Sequence, residues 1–214
     1  MTMQGPALIA FLTDLAANND RDWFNANKKT RDAAFTAPSG AFADAMAAGF
    51  KQMTGHDYSA KIFRLPRDVR FSKDKTPYNT YLRMAWAPDC GQSGSPRWML
   101  GLEPGDLTLG VGMFEFERAD LDAWRARIDG KDGAALAGLM DALGKDGVRF
   151  SAPDLKRVPA PYPQDHERGE LLRRKGLTAW IDALPVETAF GDDGPASCLA
   201  EFRRLKPLFD WMLG

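Results

Sequence analysis

One stretch concentrates the side chains that bind anions. Arg64-Leu-Pro-Arg-Asp-Val-Arg-Phe-Ser-Lys-Asp-Lys-Thr-Pro-Tyr78 sets Arg, Lys, Ser, Thr and Tyr donors among the turn formers Pro66, Asp68, Asp74 and Pro77. Arg grips carboxylate or phosphate through two parallel N–H bonds, and Lys adds a point charge. Arg67, Arg70 and Lys75 form the candidate clamp on the anion, with Ser72 and Tyr78 to orient it. Were a reaction to follow, Asp68 or Asp74 would be the base and Lys73 or Tyr78 the acid. The structural alternative is a salt-bridged loop, with Arg67 held by Asp68 or Lys73 by Asp74, tying helices to a sheet.

Charge is uneven along the chain. Residues 61–83 hold seven basic groups against two acids, and residues 156–175 hold six against three. Residues 101–147 compensate with ten acids against five bases. The two basic segments are expected to converge on one site, which brings Lys156 and Arg157 to it. A second polar run, Asn18-Asn-Asp-Arg-Asp-Trp-Phe-Asn-Ala-Asn-Lys28, is a candidate pocket wall through Asn19, Arg21 and Trp23, or else a helix cap followed by a buried Trp. Helical spacing places Trp23 and Asn27 on one face, with Arg31 a turn further.

Much other chemistry is excluded. There is no Gly-x-Ser-x-Gly elbow, no Walker loop, no Gly-x-Gly-x-x-Gly and no His-Glu-x-x-His. Two Cys (Cys90, Cys198) and two His (His56, His166) do not make a zinc module or a disulfide scaffold. No metal site is expected, and no cofactor is named by any motif. Lys plus Arg number 28 and Asp plus Glu 29, so a global cationic field for nucleic acid is absent, though a local basic face remains an alternative. The first apolar stretch is not preceded by positive charge, the reverse of a secretory signal. No apolar run approaches the ~18 residues of a membrane span. Cytoplasmic residence is the expectation, with no membrane partner; the oligomeric state is left open.

The elements that must position these groups follow from periodicity. Leu8, Phe11, Leu12 and Leu15 make one helical stripe, and Asp20 is placed to cap a second helix from Asp20 to Ala34. Pro38 should start a third, with Phe42, Met46, Phe50 and Met53 on one face and Gly55 as its stop. The period then changes to two. Leu82, Met84 and Trp86, then Trp98, Leu100 and Leu102, then Leu107, Leu109, Val111 and Met113 read as three antiparallel strands of a meander. Glu103-Pro-Gly-Asp106 is the turn between the last two. Pro88 to Pro96 joins the first two as a mobile flap or an inert surface loop. Gly110 and Gly112 inside a strand mark a bulge or a close backbone approach. Helices return around Leu121 to Ile128 and Leu136 to Leu143. A short strand follows at Val148 to Phe150, and Pro153 to Pro163 must be irregular. A short charged helix at Glu167 to Lys175, a strand at Leu177 to Leu184 and a closing helix from Ala196 to Leu213 complete the chain. The expected fold is a single α+β domain over residues 1–214, a curved antiparallel meander flanked by N-terminal and C-terminal helices.

Asn18 to Phe24 followed by Asn27-Lys28, and then Arg67-Asp-Val-Arg-Phe-Ser-Lys-Asp-Lys-Thr-Pro-Tyr78, resemble a conserved-hypothetical family, domain of unknown function 2461. The likeness continues in Gly110-Val-Gly112, Leu155 to Pro159, Leu171 to Lys175 and Phe202 to Leu208, in the same order. Two positions depart: Asn79 stands where the family commonly has Lys, and Met113-Phe114-Glu115 where an aromatic followed by Pro is usual. The resemblance implies an α+β fold and no established activity, cofactor or partner. It places Asn19, Arg21, Trp23, Arg67, Asp68, Arg70, Phe71, Ser72, Lys73, Asp74, Lys75, Pro77 and Tyr78 in the family's common motif. The reading favoured on these grounds is binding of a small phosphate- or carboxylate-bearing ligand in a basic cleft; the alternatives are a nucleic-acid or protein-interaction module using the same basic face, or a purely structural motif. Whether a reaction is catalysed there stays open.

Overall fold

A computed structural model describes residue 3, residues 5–90 and residues 94–214 of the chain. Helix α1 (Gly5–Ala17) buries Leu8, Phe11, Leu12 and Leu15, the stripe its spacing predicts. Asp20 caps α2 (Arg21–Ala26) by accepting a hydrogen bond from the Trp23 N–H at 2.8 Å. The helix expected to run on to Ala34 breaks at Asn27. The Asn27 side-chain amide donates to the Trp23 carbonyl at 2.9 Å, sharing that acceptor with the Asn27 backbone N–H at 3.0 Å. The chain resumes as α3 (Lys28–Arg31), widens into a π-turn at Asp32–Thr36 and runs straight into α4 (Ala37–Thr54). Pro38 lacks an N–H and its ring crowds the preceding turn, so a local widening just before it relieves the conflict. α4 stops at Gly55, as its sequence predicts.

The sheet is larger than the expected meander. It contains β1 (Tyr58–Ile62), β2 (Leu82–Pro88), β3 (Arg97–Glu103), β4 (Asp106–Met113), β5 (Arg149–Phe150) and β6 (Leu177–Leu184). Their order is β1-β2-β3-β4-β6-β5, with every neighbouring pair antiparallel. The meander is therefore its centre, with β1 and β5 at opposite edges. The turn at Pro104-Gly105 joins β3 to β4 with Gly105 at φ 94. Between β4 and β5 stand α5 (Arg118–Asp129) and α6 (Lys131–Lys145); α7 (Gly169–Leu172) and the closing α8 (Gly194–Leu213) complete the order. The charged helix expected over Glu167 to Lys175 contracts to the four residues of α7.

Strand alternation decides which face the helices cover. Leu82, Met84, Trp86, Trp98, Leu100, Leu102, Leu109 and Val111 are buried. Phe50 of α4 stacks on Trp98 at 5.1 Å, and Phe209 of α8 stacks on its ring at 4.6 Å. The intervening residues point the other way, onto a face where no helix packs among the described residues. Among the described residues no helix is long and apolar enough to cross a membrane.

Candidate functional site

The helix-free face of the sheet is the floor of an open trough of about 1170 Å³. Strand register lines one row of residues across all six strands: Lys61, Ala85, Met99, Gly110, Trp180 and Arg149. A second row carries Arg83, Gly101 and Thr108. Six cations border the trough, namely Lys61, Arg64, Arg67, Arg83, Arg97 and Arg149. Two of them are committed to carboxylates. Arg149 makes two bonds to Asp182, at 2.6 and 2.8 Å, and Arg67 meets Asp74 at 2.6 Å. Among the described residues, Lys61, Arg64, Arg83 and Arg97 have no acidic partner within 4.0 Å. Lys61 instead lies over the Phe63 ring at 4.9 Å and Arg83 over the Tyr81 ring at 4.2 Å. Both rings line the trough, as do Trp180 and Phe114, the last being 74% exposed.

The basic motif that dominates the sequence is built differently. It leaves edge strand β1 and doubles back on itself: the Arg67 N–H donates to the Pro77 carbonyl, the Asn79 N–H to the Leu65 carbonyl, and Pro66 bridges to Tyr78. Several of its charged groups are satisfied within the loop. Arg67 reaches Asp74, the Thr76 carbonyl at 3.1 Å and the Thr76 hydroxyl. Arg70 forms a fork with Asp68, its Nη2 at 2.7 Å from Oδ2. Lys75 donates to the carbonyls of Val69 and Arg70. The Thr76 N–H and then Arg67 hold the Asp74 carboxyl down to a pKa of about 2, and the Arg70 guanidinium holds Asp68 below the usual carboxylate range. Carboxylates stabilised in this way are weak bases at neutral pH. Only Arg64, Arg67 and Asp68 of this motif's charged groups line the trough. Phe71, at 95% exposure, and Arg70, Lys73 and Lys75 are outside its lining.

Arg70 is paired, yet its side chain is 77% exposed and that of Asp68 50%. Water screens such a pair, and truncation leaves no buried charge behind. Arg70→Ala should move the melting point by about 2 °C or less. A scanning-calorimetry loss several times larger would show that the fork supports the fold.

The remaining sequence candidates separate. The Asn19 side chain clamps the backbone of Tyr78, donating to its carbonyl at 2.9 Å and accepting from its N–H at 3.0 Å. Tyr78 is buried and stacks on Phe24 at 3.9 Å, so it is a packing residue. Trp23 packs on Phe11 at 6.1 Å. Arg21 is exposed and Ser72 half-buried, neither lining the trough. Lys156 and Arg157 border a separate concavity of about 340 Å³ beside α7. The two basic segments therefore do not share one cavity. The first leaves edge strand β1 and the second follows β5, at the opposite edge, about 24 Å away at five strand spacings.

Gly112 lies at φ 141 with no room for a side chain, since a Cβ would sit 2.1 Å from the Leu177 carbonyl oxygen. Both glycines of Gly110-Val-Gly112 mark close approach of β6, and a Cβ on Gly110 would strike the Trp180 ring. The motif thus seats the trough's largest aromatic. A family model matches residues 7–211, nearly the whole chain. The chain belongs to the conserved hypothetical protein family DUF2461. No curated protein matches it. In this DUF2461 member the long Arg67–Tyr78 motif is mostly a self-satisfied loop, and the trough beside it holds the four cations with no carboxylate within 4.0 Å among the described residues. Arg97 and Trp180 went unremarked in the sequence, and Arg83 counted only toward the charge surplus of residues 61–83, because each occupies the outward register of a strand, which ordinarily faces solvent. The alternation itself was the available signal.

Among the described residues, no group of three or more His, Cys, Asp or Glu side chains is placed to hold a metal ion. Burial pushes the Cys198 thiol up to about 12, which makes it a poor nucleophile. Of the loop from Pro88 to Pro96, residues 91–93 lie outside the described residues.

Proposed function

We propose that this protein binds a small phosphate- or carboxylate-bearing ligand in the trough on the helix-free face of its sheet. The observation that carries this reading is the set Lys61, Arg64, Arg83 and Arg97, four cations on one concavity with no carboxylate within 4.0 Å among the described residues. Acids also line the trough, Asp68, Glu103, Asp106, Glu115 and Asp182, but none lies within 4.0 Å of these four cations, whose mutual repulsion an anion placed among them relieves. The reading moves the clamp from Arg70 and Lys75 to the sheet, while Arg67 remains at the rim. It describes a single domain in the cytoplasm, where Cys90 and Cys198, both free, stay reduced.

A thermal-shift screen of phosphorylated metabolites and carboxylic acids at low salt tests it. At a concentration of about 100 Kd a ligand adds about 2.7 kcal/mol of stability, a rise of roughly 5–10 °C for a chain of this size. Arg83→Ala should weaken the hit by about 10- to 100-fold, the effect of losing charge-assisted bonds. Failure of every anion to shift the melting point, or a hit indifferent to Arg83→Ala, would overturn the reading.

A further inference from the structure

We propose that the anion is carried on a planar ring, and that the ring lies on the floor of the trough over Met99 and Gly101 with its phosphate or carboxylate at Lys61 and Arg83. This rests on the binding reading above and adds the ligand's chemical class. Three cation–ring pairs line the trough: Lys61 with Phe63, Arg83 with Tyr81, and Arg149 with Trp180 at 6.0 Å. A site for a bare anion needs the cations alone; rings beside them offer faces and edges to a second ring. Register places the pieces. Arg83 is directly opposite Gly101, Lys61 opposite Ala85, and Ala85 opposite Met99. Gly101 supplies the space. A Cβ built there meets nothing within 4 Å, and its φ is not in the left-handed region. A central strand gains from a β-branched residue at such a position, so neither packing nor backbone conformation accounts for this glycine. Room for a ligand does.

Charge sets the ligand's length. Glu103 and Asp106 border the trough at the β3–β4 turn, and Glu115 borders it beyond the other end of β4. A chain of phosphates running along the strands would meet acids at both ends. Lys61 and Arg83 have no carboxylate within 4.0 Å among the described residues, so a single anionic group fits beside them, which favours a monomeric ligand over a nucleic-acid strand.

The test compares 1-naphthyl phosphate and adenosine monophosphate with ribose 5-phosphate and inorganic phosphate, titrated calorimetrically into wild type and Gly101→Val. Base–aromatic stacking contributes about 5- to 150-fold in affinity, so at least one ring-bearing phosphate should bind at least about fivefold tighter than ribose 5-phosphate. Gly101→Val should abolish that advantage while its melting point stays level or rises. Equal binding of ring-bearing and ring-free phosphates would overturn the ring seat and leave the anion reading standing. Absence of binding by all four, with no hit in the wider screen, would overturn both. A dT12 strand that binds more tightly than either ring-bearing phosphate, with steep salt dependence, would replace the monomeric ligand by nucleic acid. If Gly101→Val lowers the melting point instead, Gly101→Ala repeats the comparison. Unchanged ring preference in Gly101→Ala would then overturn the seat.

Discussion

Gly112→Ala should lower the melting point by roughly 10 °C, although it adds one methyl group. Gly112 adopts φ 141, a conformation open to glycine and strained for residues with a side chain. Holding alanine there costs about 1–3 kcal/mol. The new Cβ would also sit 2.1 Å from the Leu177 carbonyl oxygen and 2.7 Å from the Thr178 Cα, both backbone atoms of the neighbouring strand. Neither can move without disturbing the β4–β6 pairing, and overpacking of that kind costs about another 1–3 kcal/mol. At about 2–4 °C per kcal/mol the sum gives the stated loss. Calorimetric melting checks it, with Gly101→Val as the counterpart. The two glycines stand on adjacent antiparallel strands, one pressed against backbone and the other facing open space. A melting point for Gly112→Ala within about 2 °C of wild type would mean that β4 and β6 separate easily, and the trough's Trp180 wall with them.

Sequence periodicity carried the fold a long way. Leu82, Met84 and Trp86 alternate with Arg83 and Ala85, and the meander follows from that and from the Pro104-Gly105 turn. β1 escaped because Tyr58-Ser-Ala-Lys-Ile62 is a mostly exposed edge strand, with little of the alternation that burial on one face imposes. The break at Asn27 escaped because an Asn mid-helix is tolerated until its side chain finds a carbonyl. The site was legible only as a charge surplus. Of the basic groups in residues 61–83, Lys61, Arg64, Arg67 and Arg83 border the trough, but composition does not tell an Arg that waits for an anion from one that has an Asp. On a helix, spacing of four would decide the matter. In a loop, Arg70 and Asp68 two apart, or Arg67 and Asp74 seven apart, meet only because the chain turns back through Pro66 and Pro77. The trough cations show the converse. Lys61, Arg83 and Arg97 sit on three strands, and nothing local in the sequence brings them to one surface.

Asn19→Ala should lower the melting point by about 8 °C and leave anion affinity unchanged in the folded protein. The Asn19 amide matches both the N–H and the C=O of Tyr78, at 3.0 and 2.9 Å. Truncation leaves one donor and one acceptor unpaired in a partly buried position. Each costs about 1–3 kcal/mol when fully shielded, so about 2–4 kcal/mol together is expected here. The damage spreads to packing: the Tyr78 ring stacks on Phe24, whose other neighbour is the Arg31 guanidinium at 4.7 Å from the ring centre. Releasing Tyr78 therefore loosens the end of the motif from the helix that holds it. Asn19→Asp sharpens the test. At neutral pH its carboxylate still accepts from the Tyr78 N–H but sets an oxygen against the Tyr78 carbonyl, so its loss should equal or exceed that of alanine. Protonation below the ordinary carboxylate pKa of about 4 restores a donor and should narrow the gap to wild type. Asn19 does not line the trough, so titrations well below the melting point should return wild-type affinity for the best anion of the screen. The reverse pattern, a normal melting point with binding lost, would make Asn19 a ligand contact and return the Arg67–Tyr78 motif from scaffold to site.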